Sequence, residues 1–158
     1  MDIDSSAFGP VRAFLAEYVV AAWREAHGGS PLLLGGRRRG HDISDADRLI
    51  DAKVLVPLSA SERRTWPGCD WKVARDRHVL FNPLTTTHIA LVALPDDMGF
   101  TVTDDDGAVT INATTRGAQI FEVEVSEFND QLDPDNPDAE GWRYLILETD
   151  WLEQHRVQ

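Results

Sequence analysis

The sequence predicts an α+β fold: an N-terminal amphipathic helix plus short helices packed on a mostly antiparallel sheet of about five or six strands. Three observations predict it. Apolar residues recur at helical spacing in the first 27 positions, and the period drops to two from Trp71 onward. The later segments are short, rich in Val, Ile, Thr and Phe, and separated by turn residues. A length of 158 residues suits one hydrophobic core, and no linker or repeat divides the chain, so residues 1–158 are expected to form a single domain.

The leading helix is read from PVRAFLAEYVVAAWREAHGG, where Val11, Phe14, Leu15, Tyr18, Val19, Ala22 and Trp23 form one stripe. Pro10 suits its first turn, and Gly28 or Gly29 its stop. Arg24 and His27 complement the negative end of its dipole. In SPLLLGG a short apolar run meets a break. SDADRLIDA carries Ser44 and Asp47 at capping-box spacing and predicts a short helix over 44–52. VLVPL is strand-like but interrupted by Pro57, which cannot donate to a sheet ladder. Ser59 and Glu62 in SASERRTW form another capping box and predict a brief helix, and PGCD, Pro67–Asp70, reads as a turn.

From Trp71 the strand candidates are WKVARDRHVLF, THIALVAL, GFTVT, AVTIN, QIFEVEV and RYLILET. Asp106-Gly107 in TDDDGAV signals a hairpin, because both residues tolerate the positive φ that a tight turn needs. In QIFEVEV, Phe121, Val123 and Val125 share one face while Glu122 and Glu124 share the other, which describes a strand with one wet face. NDQLDPDNPDAEG, residues 129–141, reads as a long polar loop, of the kind that is commonly functional. DWLEQHRVQ predicts a short closing helix.

With 42 % hydrophobic and 27 % charged residues, the chain has the composition of a folded globular protein. Its longest apolar runs, such as Ile89 to Leu94, fall well short of the ~20 residues that span a bilayer. MDIDSSAFGP starts acidic and lacks the basic and apolar regions of a signal peptide. The lone Cys69 cannot form an intramolecular disulfide, which suits a reducing compartment. A cytoplasmic protein is expected.

Charge is the most informative count. Residues 1–80 carry 12 Lys and Arg against 11 Asp and Glu, whereas residues 81–158 carry 3 against 16. Such a half-chain repels nucleic acid and anionic membrane and attracts a basic partner. The densest positive charge is GGRRRGHD, residues 35–42. Gly35 and Gly40 have phosphate-loop spacing, but His41 and Asp42 stand where a lysine and a metal-binding hydroxyl are required. Asp42, Asp45 and Asp47 oppose the arginines, and no stacking aromatics are interleaved, which argues against nucleic acid as well. The stretch reads as a solvated turn that partly offsets the acidic half.

Other motifs fail on their chemistry. Asp70 beside Cys69 raises the thiol pKa, the opposite of what a nucleophile needs. The histidines at 27, 41, 78, 88 and 155 lack the spacing of a structural zinc site, so no metal or cofactor is expected. DPDNPDAEG fails as an EF-hand loop: counting from Asp133, Asp138 stands where glycine is needed and Tyr144 where glutamate is needed. The nucleophile elbow and the dinucleotide and HExxH signatures are missing.

The expectation is therefore an acidic protein-binding module that docks on a basic protein. In this it is functionally analogous to immunity proteins and other stoichiometric inhibitors, in which opposite charge speeds encounter and aromatic anchors hold the complex. The expected contact residues are Asp104, Asp105, Asp106, Glu122, Glu124, Asp133, Asp135, Asp138, Glu140, Trp142 and Tyr144. Two alternatives accompany it. One is a self-associating structural subunit of a larger assembly. The other is an enzyme whose non-local site draws on His41, Asp42, Cys69, His78 or His88.

Overall fold

The computed structural model describes residues 8–34, 41–74, 80–95, 100–105, 108–113, 117–132 and 144–158. Helix α1, Phe8–Ala26, opens the chain. Its buried residues are Leu15, Ala16, Val19, Val20 and Ala21, whereas Phe14 is 41 % exposed. The buried stripe is thus rotated from the expected one toward the small residues Ala16 and Ala21. The helix ends in a Schellman arrangement: Gly28 has φ 88°, Gly29 N–H bonds Arg24 O at 2.8 Å, and Gly28 N–H bonds Glu25 O at 3.2 Å.

Strands β1, Leu32–Leu33, β2, Ile43–Asp45, and β3, Arg48–Pro57, follow. The helix expected over 44–52 is not formed. Ser44 pairs with Leu49 and Asp45 with Arg48 across a two-residue turn in which Ala46 has φ 52°. Alternation decides the matter: Ile43, Asp45, Ile50 and Ala52 are all buried, and Asp45 is bound from inside the protein. Pro57 closes β3, where its missing N–H costs least. Helix α2, Ala60–Thr65, carries the expected capping box: Glu62 N–H bonds Ser59 Oγ, and Ser59 N–H bonds Glu62 Oε1.

The remaining elements are β4, Cys69–Ala74; β5, His88–Ala93; β6, Phe100–Asp105; β7, Ala108–Ala113; and β8, Gln119–Glu124. Helix α3, Val125–Gln131, strand β9, Tyr144–Glu148, and helix α4, Thr149–Glu153, complete the chain. Asp105 pairs with Ala108, as the Asp-Gly signal predicts, and β6–β7 form a two-stranded sheet of their own.

The main sheet has seven strands, in the path β1-β2-β3-β4-β9 with β5 joined to β3 and β8 to β5. All its pairings are antiparallel except β3–β5, which is parallel. The α+β class holds, with more strands than expected, because the ten-residue β3 serves three partners. One sheet face carries Ile50, Ala52, Ala90, Val92 and Ile120 into a cluster with α1. The opposite face carries Leu55, Ile89, Leu91, Phe121 and Val123. Leu145 and Leu147 of β9 join this cluster, and Phe128 of α3 and Leu152 of α4 pack against it. The outer edge of β8 is also occupied. Val157 N–H bonds Ile120 O at 2.8 Å, and Glu122 N–H bonds His155 O at 3.0 Å, so the chain's last residues lie along that edge. No helix among the described residues is long and apolar enough to cross a membrane.

Candidate functional site

The α1 face of the sheet changes character along its length. Ala52, Ala90 and Glu122 stand in one cross-strand row, and Ile50, His88 and Glu124 in the next. The period of two therefore puts His88, Glu122 and Glu124 on the face that α1 covers. There they meet the polar end of the helix.

Arg24, in the last turn of α1, donates from Nε to Asp45 Oδ2 at 2.5 Å and from Nη1 to Glu122 Oε2 at 3.1 Å. Arg48 Nη1 donates to Glu122 Oε1. Asp45 also accepts from Ser30 N–H at 3.0 Å. The Asp45 and Glu122 side chains are 5 % and 6 % exposed, so two guanidinium groups offset two buried carboxylates. The Arg24 hydrogen bond holds the Asp45 carboxyl below its usual pKa against the opposing effect of burial. Glu122 was expected as a solvent-facing contact residue. It is instead an internal ion-pair partner, because Arg24 and Arg48 reach it from distant parts of the chain.

Three histidines surround this network. His27 Nδ1–H donates to Trp23 O at 2.7 Å, and the His27 ring stacks on Trp23 at 4.5 Å. His155 Nε2 lies 3.2 Å from Glu127 Oε2. Thr87 Oγ1 accepts from Leu49 N–H at 2.8 Å and donates to Leu49 O at 3.2 Å. The same hydroxyl lies 2.8 Å from His88 Nδ1, so Thr87 ties the imidazole to the β3 backbone. Burial, then the charge of Arg48, lowers the His88 pKa and favours the neutral ring. Trp23, His27, Arg48, His88, Glu124 and Glu127 all line one open cavity of about 500 Å³. Among the described residues, no group of three or more His, Cys, Asp or Glu is arranged to hold a metal ion.

The residues considered for an enzyme are not gathered there. His88 lines the cavity. His41 Nδ1 instead donates to Thr85 O at 2.8 Å, and Asp42 Oδ2 accepts from Ala52 N–H at 3.0 Å. Cys69 is half-buried opposite Glu148, and burial, then Glu148 and Asp70, push its thiol pKa up. His78 lies outside the described residues.

The expected contact residues fare differently. Tyr144 opens β9, is 40 % exposed, and has Lys72 Nζ 4.7 Å from its ring centroid. It also lines a second, more apolar cleft of about 380 Å³ beside Ala13, Val54, Val56 and Val73. Glu124 is exposed at the end of β8. Asp104 and Asp105 lie on β6, opposite Val109 and Ala108. Asp106, Asp133, Asp135, Asp138, Glu140 and Trp142 lie outside the described residues.

Glu124 and Glu127 at the cavity are exposed carboxylates, and so are Asp130 on α3, Glu148 at the end of β9, and Asp150 and Glu153 on α4. The arginine among the described residues of this layer, Arg156, is held by Glu153 at 2.6 and 2.7 Å. Arg24, His27, Arg48, Glu127 and His155 were not expected in a site. Only Arg24 and His27 carried a signal, as basic residues at a helix end. Comparison of the chain with protein-family models, with curated proteins and with solved structures gives no match.

Proposed function

We propose that the protein is a binding module that docks on a basic protein through the carboxylate-rich layer of the β8 end, α3 and α4. One observation carries this reading. The exposed Glu124, Asp130, Glu148 and Asp150 have no ion-pair partner among the described residues, and Arg156 is already tied to Glu153. Internal pairing absorbs Glu122, but it leaves these groups available. Their unscreened charge accelerates encounter with a positive surface more than it deepens final affinity. An inhibitor of a basic enzyme or toxin, acting in the cytoplasm, is the kind of protein this physics serves.

The test is affinity capture from native-cell extract with the full chain, followed by association kinetics with the captured protein. The combined variant Glu124→Gln, Asp130→Asn, Asp150→Asn is expected to slow association about tenfold at low salt, with little effect on stability. The difference should shrink as salt rises past the ~10 Å screening length of 0.1 M. An association rate indifferent to both salt and these substitutions would overturn the proposal, as would capture of acidic proteins alone.

A further inference from the structure

The main sheet has three terminal strands, β1, β8 and β9, and the outer edges of the first two are guarded. Strand β1 is only two residues long, and residues 155–158 cover β8. Strand β9, Tyr144–Glu148, differs. Among the described residues its only sheet partner is β4, and it contains neither the Lys nor the Pro that commonly blunts an edge. Alternation fixes which of its backbone groups face outward. Leu58 N–H bonds Asp70 O, and Val56 pairs with Lys72, so Lys72 bonds toward β3 while Trp71 and Val73 bond toward β9. Their partners Leu147 and Leu145 therefore bond inward, as does Thr149, whose N–H reaches Gly68 O at 3.0 Å. The N–H and C=O groups of Tyr144, Ile146 and Glu148 point away from the sheet. The side chains of these three residues lie on the α1 side, in line with Val56, Lys72 and Ala74 of the neighbouring strands.

We infer that β9 is a self-association edge, which pairs antiparallel with β9 of a second copy about a twofold axis at Ile146. The register follows from the strand's own residues. Centred on Ile146, it sets Ile146 against Ile146 and Tyr144 against Glu148, so every outward N–H and C=O gains a partner. It also matches charge. Glu148 is exposed and without an ion-pair partner among the described residues, while the Tyr144 end carries Lys72, whose Nζ lies 4.7 Å from the ring centroid. Lys72 donates to Glu62 Oε1 and Oε2 at 3.0 and 2.9 Å and keeps a third N–H for the Glu148 carboxylate of the other copy. A parallel pairing would instead set Glu148 against Glu148, which is repulsive. Five-residue strands bury little area, so the dimer is a weak, concentration-dependent one. The inference goes beyond the docking proposal and does not rest on it, because the edge uses none of Glu124, Asp130 and Asp150.

Sedimentation of the full chain over about a hundredfold concentration range, at ~0.15 M salt to screen the acidic surfaces, is expected to show a monomer–dimer equilibrium. In hydrogen exchange, the Tyr144, Ile146 and Glu148 amides should gain protection as concentration rises, while those of Leu145 and Leu147 are protected throughout. Ile146→Cys in a Cys69→Ser background should form an intermolecular disulfide with oxidised glutathione, because hydrogen-bonded antiparallel partners stand ~5.5 Å apart at Cα. Ile146→Pro removes an outward donor and should give a monomer whose circular dichroism is unchanged. Glu148→Lys reverses two symmetry-related contacts and should weaken dimerisation about tenfold. A chain that stays monomeric across the range overturns the inference. So does a dimer that both Ile146→Pro and Glu148→Lys leave intact, or one whose added protection falls on other strands. Should Ile146→Pro fail to fold, the exchange pattern of the unaltered chain still decides. Partner association that responds to the α3–α4 substitutions in a strictly monomeric chain sinks this inference alone. A β9 dimer whose partner association ignores those substitutions sinks the docking proposal alone.

Discussion

Arg24 and Glu122 are 98 residues apart in the chain and 3.1 Å apart in the folded protein. This contact ties the last turn of α1 to β8, and it holds a carboxylate that is 6 % exposed. Removing Glu122 loses charge-assisted hydrogen bonds, while Arg24 keeps Asp45 and Arg48 is partly exposed. Glu122→Ala is therefore expected to destabilise the fold by about 2 kcal/mol in denaturant unfolding. Glu124→Ala, one residue pair further along the same face but exposed, should change stability by less than ~0.5 kcal/mol. Equal effects from the two would show that the network is not buried in solution.

Acid and base act on this protein through different carboxyls. Burial, then the charges of Asp42 and Asp51, raise the Glu17 pKa to about 7 from 4.5. The folded state thus holds a proton that the unfolded state has released between those values, so stability falls as pH rises through this window. Asp45 works in the opposite sense: with its pKa depressed by Arg24, it stabilises above the unfolded value of 3.8 and loses that contribution as pH falls further. Urea unfolding should give a maximum near pH 5, between the two effects. Glu17→Gln should flatten the upper limb and raise stability at pH 8 by about 1 kcal/mol, allowing for solvent screening of a partly exposed group. A limb that stays equally steep in this variant would rule Glu17 out as its source.

The two glycines after α1 serve different needs. Gly28 has φ 88° with nothing within 4 Å of an added Cβ, so Gly28→Ala meets only backbone strain, about 1 kcal/mol. A Cβ on Gly29 would lie 2.5 Å from Asp45 Oδ2 and 2.9 Å from the Arg24 carbonyl oxygen. Gly29→Ala must therefore displace the Arg24–Asp45 pair and is expected to cost about 2 kcal/mol or more. It should also perturb the His27 and His88 signals, which Gly28→Ala leaves in place. Thermal unfolding with imidazole NMR on both variants checks the order. The reverse ranking would refute the close approach.

Elements whose causes are local were legible in the sequence. The helical repeat around Leu15 and Val19, the Ser59–Glu62 capping box, the hairpin after Asp105 and the alternation of Phe121 and Val123 all follow from neighbours a few residues apart. What failed was set at a distance. Ser44 and Asp47 have capping-box spacing, but β3 gains a parallel partner from residues 88–92 and is drawn into the sheet, which local spacing cannot register. Glu122 alternates with apolar residues like any solvent-facing acid, and only the arrival of Arg24 and Arg48 turns its face inward. The cavity was hidden for the same reason. His27, His88 and His155 share no spacing, and they meet because a helix end, a strand start and the chain's last residues converge.

The segment along β8 ties two properties together. Its backbone occupies the strand's outer hydrogen-bonding groups, and its side chains His155 and Val157 form part of the cavity wall. Peeling it away would bare a sheet edge able to recruit foreign strands and would dismantle the pocket in the same movement. A ligand that favours the intact pocket therefore also guards the chain against strand-mediated aggregation, because both depend on one local opening equilibrium.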